Sequence, residues 1–167
     1  MFARVAIIGV GLIGGSLGMA LKRLNLAKEV VGIGRNEAKL RVAQEVGAVD
    51  RTTTDLKAVA GTTLVVVATP VSAVVPVLRA IAPYLAAGTV VTDVGSTKVA
   101  IVQAAEPIAR ARGFSFVGGH PMAGSERTGV ESADPYLFEN AYYILTPTPT
   151  TDPEAIAKVR RMATEVG

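Results

Sequence analysis

The sequence predicts an α/β domain built on a doubly wound, mostly parallel sheet. Three observations carry that prediction. Short, continuous apolar runs recur between turn residues, as strands buried on both faces do. Stretches of helical period separate them, so strand and helix alternate along the chain. The composition, half hydrophobic but only 5% aromatic and rich in Ala, Val and Gly, suits thin, close-packed layers of helix on sheet. At 167 residues the chain is sized for one domain.

The elements follow in order. ARVAIIGV (3–10) is a strand whose apolar run ends at a cluster of glycines, and the segment 12–25 after it has helical period. EVVGIG (29–34) is a second strand, followed by a polar helix over 37–46. TLVVVAT (63–69) is rich in β-branched residues and stops at Pro70, from which an apolar helix runs over 71–86. TVVTDVG (89–95) precedes a helix over 97–112, and FSFVGG (114–119) precedes a stretch, GGHPMAGSERTG, too broken for a helix or a strand. AYYILTP (141–147) is the last strand and 153–166 the last helix. No repeat, low-complexity segment or linker interrupts the pattern.

Composition narrows the function classes. Lys and Arg exceed Asp and Glu by only three, and no basic run or stripe accompanies the surplus, so nucleic acid is not an expected partner. A small anionic ligand is easily accommodated. With no cysteine and one histidine, a zinc site lacks its usual ligands and no disulfide can form, which fits a reducing cytoplasm. The N-terminal segment resembles a secretory leader only superficially, because its five glycines make a poor apolar core. The richest apolar run, Leu64 to Leu78, is cut by Pro70 and Pro76, so no membrane span is expected.

In open α/β sheets, ligands bind outside the carboxyl ends of the strands, and here those ends carry the special residues. Gly9-x-Gly11-x-x-Gly14 directly follows a strand and opens a helix. Gly9 permits the tight turn, Gly11 lets main chain approach a pyrophosphate, and Gly14 lets the helix pack against the strand. The first amides of the helix, at Leu12, Ile13 and Gly14, then hold the phosphates. The pattern is that of a Rossmann-type dinucleotide-binding domain. The acid that normally ends the second strand and binds the adenosine ribose is absent: Gly34 occupies the place, followed by Arg35 and Asn36. Without that acid a 2′-phosphate meets no repulsion, and Arg35 can pair with it, so NADP is favoured and NAD remains possible. Arg35 as an ordinary solvated loop residue is the alternative.

Thr69 and Pro70 end the third of these strands, where a rigid turn can seat the nicotinamide ribose or simply start a helix. Ser96 can present its hydroxyl to a substrate, while Ser96 or Thr97 can equally cap the following helix. His120 has three readings: a core residue, a metal ligand, or an acid–base group. Its neighbours offer little packing and no companion ligands exist. An imidazole at a strand's carboxyl end, beside the expected nicotinamide, suits proton exchange with a hydroxyl.

GVGLIGGSLGMALK, ATPV, DVGSTK and above all GGHPMAGSERTGVESADPYLFENAYYILTP, in this order, resemble the nucleotide-binding domain of prephenate/arogenate dehydrogenases across essentially the whole chain. The resemblance implies NAD(P)-dependent oxidative decarboxylation of a small anionic substrate, prephenate or arogenate, in tyrosine biosynthesis. It implies that His120 accepts the hydrogen bond of the substrate hydroxyl, that Ser96 orients that hydroxyl and the imidazole, and that Ser125 and Glu126 line the pocket or its mouth. Such enzymes continue into a helical domain that dimerises and supplies much of the substrate pocket. That domain is expected to be absent from this chain, whose whole length, 1–167, is the dinucleotide-binding domain, with a homodimer expected only where the helical domain is present. A nucleotide-binding or regulatory module without turnover, and another NADP-dependent oxidoreductase of hydroxy acids or imines, are the competing functions.

Overall fold

The computed structural model describes residues 1–167. Its sheet has seven strands: β1 (Val5–Ile8), β2 (Val30–Ile33), β3 (Arg51–Thr53), β4 (Leu64–Val67), β5 (Val90–Asp93), β6 (Ser115–Pro121) and β7 (Tyr143–Thr146). The helices are α1 (Leu12–Arg23), α2 (Glu37–Glu45), α3 (Val71–Ile81), α4 (Val99–Arg112) and α5 (Pro153–Val166). The spatial order is β3-β2-β1-β4-β5-β6-β7, and every neighbouring pair is parallel except β6 and β7. Strand order reverses between β1 and β4, which leaves the carboxyl-edge crevice of a doubly wound sheet.

The alternation of side chains along each strand builds two cores. Val5, Ile7, Leu64 and Val66 pack with Leu17 and Leu21 of α1, Ala43 of α2, and Val159 and Met162 of α5. Ala6, Ile8, Val65 and Val67 face the other way, onto Val74 and Leu78 of α3 and Ile101 and Ala105 of α4. All four residues of β1 and all four of β4 are buried, so these strands are apolar on both faces, as their sequences require. Close packing of α1 depends on Gly18, where a Cβ would collide with the carbonyl of Ala48. No helix is long and apolar enough to cross a membrane.

Several boundaries differ from those the sequence predicts. β3 is a polar, three-residue edge strand, Arg-Thr-Thr, without the alternation that marks a half-buried strand. The helix expected over 71–86 ends at Ile81 and passes into a 3₁₀ turn over Ala82–Tyr84. The main correction concerns the stretch Gly118 to Pro121, where the strand is expected to stop at Gly119 and His120 and Pro121 to lie in the loop after it. It is the end of β6, paired with β7 as Gly118–Thr146, Gly119–Leu145, His120–Ile144 and Pro121–Tyr143. The glycines that make the stretch look broken are demanded by packing. A Cβ on Gly118 would lie 2.9 Å from Val102 Cγ2, and one on Gly119 would lie 2.8 Å from the carbonyl oxygen of Asp93. Pro121 is tolerated because β5 pairs with β6 only as far as Val117. The Met122 amide donates to Tyr142 O at 2.7 Å, so by the alternation of an antiparallel ladder the Pro121 nitrogen faces the side where no partner strand remains.

Candidate functional site

The glycine turn is held between β1, β2 and β4. Gly9 adopts φ +94°, and a Cβ there would sit 2.6 Å from the carbonyl oxygen of Ala68, so both its backbone conformation and its close approach exclude a side chain. A Cβ on Gly14 would collide with the Gly9 carbonyl. Gly11 is different. Nothing lies within 4 Å of where its Cβ would be, so no contact within the chain requires glycine there. The first bond of α1 runs from Gly15 N to Gly11 O at 2.8 Å, leaving the amides of Leu12, Ile13 and Gly14 without intrahelical acceptors. No acid occupies the first turn, so the positive end of the helix is uncompensated.

This turn forms the floor of a cleft of about 350 Å³. One wall is the end of β2 and the start of α2, with Arg35, Asn36 and Lys39; another is Thr69 and Pro70 after β4. Arg35 is exposed. The Asn36 side chain is committed locally, accepting from Lys39 N at 3.0 Å as the N-cap of α2. Thr69 carries the informative atom: its Oγ1 is buried and has no hydrogen-bond partner in the chain. A buried hydroxyl costs free energy unless it is paired, and one at the cleft wall is suited to pair with a polar ligand. The open space at Gly11, the free helix amides and the Thr69 hydroxyl together fit a dinucleotide.

The third wall was not legible as a site in the sequence. Gly129, Val130 and Glu131, from the segment between β6 and β7, fold back onto the glycine turn. Val130 is 2% exposed and its Cγ2 would lie 2.9 Å from a Cβ on Gly15, while Ser16 Oγ accepts from Asp134 N at 2.9 Å. No local signal marks these residues, because their partners lie more than a hundred positions earlier.

Next along the carboxyl edge come Ser96 and His120. Ser96 is exposed and does not cap α4, whose N-cap position is Lys98 without a side-chain cap bond; neither does Thr97. His120 is half-buried, and its Nδ1 lies 3.4 Å from Val94 O. Two side chains the sequence reasoning passed over join these positions. Asp93 is fully buried, and Lys98, whose side chain is 10% exposed, donates to its carboxylate. Lys98 Nζ also donates to Gly119 O at 2.7 Å. The same carboxylate accepts from Gly95 N at 2.9 Å and Gly119 N at 3.2 Å. The ion pair thus clamps the Ser96 turn to the residue before His120. Burial holds the Lys98 ammonium below the ordinary lysine range, although Asp93 pulls the other way. The signal was present in TDVGSTK, where an acid ends an apolar strand and a lysine follows it.

Tyr143 completes the cluster. Its hydroxyl is buried and unpartnered, and burial, with the Asp93 charge adding to it, pushes the phenol well above its usual titration range. Ser125 and Glu126 are exposed on the loop beyond β6, outside the cleft, and Ser125 Oγ accepts locally from Arg127 N at 3.1 Å. A larger hollow of about 640 Å³ lies at the opposite edge of the sheet, between Phe2, Gly61 and Met162, and holds none of these residues.

The contrast among the glycines yields a prediction. Gly11→Ala should leave the melting temperature near wild type, because the space is free, while weakening dinucleotide binding at least tenfold, as expected if phosphate must approach that main chain. Gly14→Ala should instead destabilise the fold. Thermal melts paired with a cofactor titration separate the two, and unchanged affinity in Gly11→Ala would move the phosphates elsewhere.

Comparison with known proteins agrees with this geometry. Residues 17–167 match the family described as prephenate dehydrogenase, nucleotide-binding domain. A prephenate dehydrogenase of Bacillus subtilis is 38% identical over 160 residues, which are 95% of this chain and 43% of that protein. The prephenate dehydrogenase of A. aeolicus, solved in complex with hydroxyphenyl propionate and NAD+, superposes with a TM-score of 0.93 at 33% identity, covering 100% of this chain and 58% of that one. Synechocystis arogenate dehydrogenase gives a TM-score of 0.91 at 35% identity, covering 98% and 57%. The chain therefore spans about half the length of the relatives it matches.

Proposed function

The chain belongs to the prephenate dehydrogenase family, as its nucleotide-binding domain, and on that footing we propose that it serves the oxidative decarboxylation of prephenate or arogenate. The observation that carries the proposal is the placing, along one sheet edge, of a glycine turn with a helix start whose first amides are free, an orphaned Thr69 hydroxyl, and the Ser96 and His120 side chains. The relatives' names support the substrate class, and the A. aeolicus complex supports a nicotinamide cofactor.

The residues divide the work as follows. Gly9, Gly11 and the amides of Leu12, Ile13 and Gly14 bind the pyrophosphate, and Thr69, beside Pro70, pairs with the cofactor ribose. When bound, the nicotinamide supplies the acceptor for the hydride leaving the substrate carbon that bears the hydroxyl. His120 takes the hydroxyl proton, and Ser96 orients that hydroxyl. As the ring carboxylate departs as carbon dioxide its electron pair enters the ring, and aromaticity drives the step. The Asp93–Lys98 pair fixes the spacing of Ser96 and His120, which is where orientation enters the rate. Ser125 and Glu126, exposed beyond β6, meet the substrate at the mouth of the site. The remaining length that the relatives carry supplies the rest of the pocket and the contacts to the substrate carboxylates. A one-sided site open to water does not impose a near-attack geometry by itself.

NADP is the favoured cofactor, supported by Gly34 in place of an acid and by Arg35 and Lys39 on the same cleft wall. Titration of the chain with NADPH and NADH tests this together with the site. NADPH is expected to bind more tightly, and Arg35→Ala should reduce that advantage by about tenfold, the scale of a charge-assisted contact. Equal affinities, or an unaltered preference in Arg35→Ala, would reverse the assignment.

A further inference from the structure

Glu131 sits at the dinucleotide cleft without an ion-pair or hydrogen-bond partner from its side chain. Its main chain is anchored on both sides, by buried Val130 against Gly15 and by the Asp134 amide bonded to Ser16. Its carboxylate folds over Gly129, which has φ +88° and whose Cβ position is already taken by the Glu131 oxygen. A side chain at 129 would displace that carboxylate. The turn that carries it packs against both α1 and α2, so the acid is brought to the same cleft as Arg35 and Lys39.

We infer that Glu131 is a cofactor-specificity residue, supplying from across the cleft the carboxylate that the end of β2 lacks. This rests on the assignment of the cleft to a dinucleotide. A carboxylate at that wall accepts hydrogen bonds from adenosine ribose hydroxyls and repels a phosphate esterified to one of them, while Arg35 and Lys39 attract that phosphate. The opposed charges narrow the discrimination, so that the site retains NAD alongside NADP. The cleft thereby achieves with a residue remote in sequence what dinucleotide folds commonly achieve with one at the tip of the second strand.

The test is a fluorescence titration of the chain with NADH and NADPH, in wild type, Glu131→Gln and Glu45→Gln. Glu45 lies exposed at the far end of α2 and controls for the same loss of net charge. Glu131→Gln is expected to weaken NADH and strengthen NADPH, moving the affinity ratio by about fivefold toward NADPH, the scale of one charge pair near the surface. Glu45→Gln should leave the ratio within about twofold. If the dinucleotides bind but Glu131→Gln leaves the ratio unchanged, or both variants move it equally, the role of Glu131 is overturned while the cleft stands. If wild type binds neither, the dinucleotide assignment falls, and the role of Glu131 with it. Glu131 is exposed, and a melting curve on each variant separates loss of binding from loss of fold.

Discussion

Replacing His120 by Asn is expected to lower turnover by about two to four orders of magnitude while leaving the melting temperature close to wild type. The measurement belongs in a protein that joins this domain to the remaining length its relatives carry, with prephenate and arogenate as substrates. The expectation has two structural roots. His120 sits near the end of β6, half-buried, and its ring has one long hydrogen bond, 3.4 Å to Val94 O, so the fold gains little bonding from it. Its main-chain pairing with Ile144 is indifferent to the side chain and survives the substitution. Asn, shorter and not titratable, keeps a polar group there but cannot accept a proton from a hydroxyl. The opposite result, a large fall in melting temperature with near-normal turnover per folded molecule, would make His120 a structural residue and return the proton to another group.

The second large effect is expected at Lys98. Lys98→Met removes the cation from a carboxylate that is fully buried, and breaking one side of such a pair costs about 3–5 kcal/mol. Asp93 still accepts from the amides of Gly95 and Gly119, which places the loss at the lower end, about 3 kcal/mol. For a domain of this size that corresponds to a fall of about 6–12 °C in melting temperature. Because Lys98 also holds the carbonyl of Gly119, the spacing of Ser96 and His120 should loosen as well. Adding Asp93→Asn to Lys98→Met should recover part of the stability, since the lone buried charge is removed; Gly95 N and Gly119 N donate to different carboxylate oxygens, and the carboxamide keeps only one acceptor, so the recovery is incomplete. Denaturant unfolding of wild type, the single variant and the double variant checks this. A single variant within about 1 kcal/mol of wild type, or a double variant worse than the single, would show that the pair is not the clamp described here.

How much of the site the sequence disclosed depended on the range of the interactions involved. The glycine turn was legible because every constraint on it is local or strand-adjacent: Gly9 meets Ala68 at the neighbouring strand end, and Gly14 meets Gly9 itself. Thr69 was legible as a strand-end residue, but that its hydroxyl is buried at the cleft wall without a partner emerges only from the packing of the fold. The end of β6 misled: the strand is expected to stop at Gly119, since Gly118, Gly119 and Pro121 together have the composition of a loop. Two tight packings and a missing neighbour on one side make that composition the one a strand end needs here. Lys98 and Asp93 lay in plain view in TDVGSTK, yet an acid and a lysine five residues apart do not announce an ion pair until the turn between them closes.

By itself the sequence determined the alternation of strands and helices, the two-faced burial of β1 and β4, and the place of the glycine turn between β1 and α1. These follow from periodicity and backbone sterics, which act over a few residues. The tertiary structure alone decided the antiparallel return of β7, the extension of β6 through His120, the seating of Val130 on Gly15, and the arrival of Glu131 in the cleft with Arg35. Those choices are made by which apolar surfaces find one another, Val130 and Phe138 joining the core of α1 and α5, and no local preference encodes a partner that lies a hundred residues away.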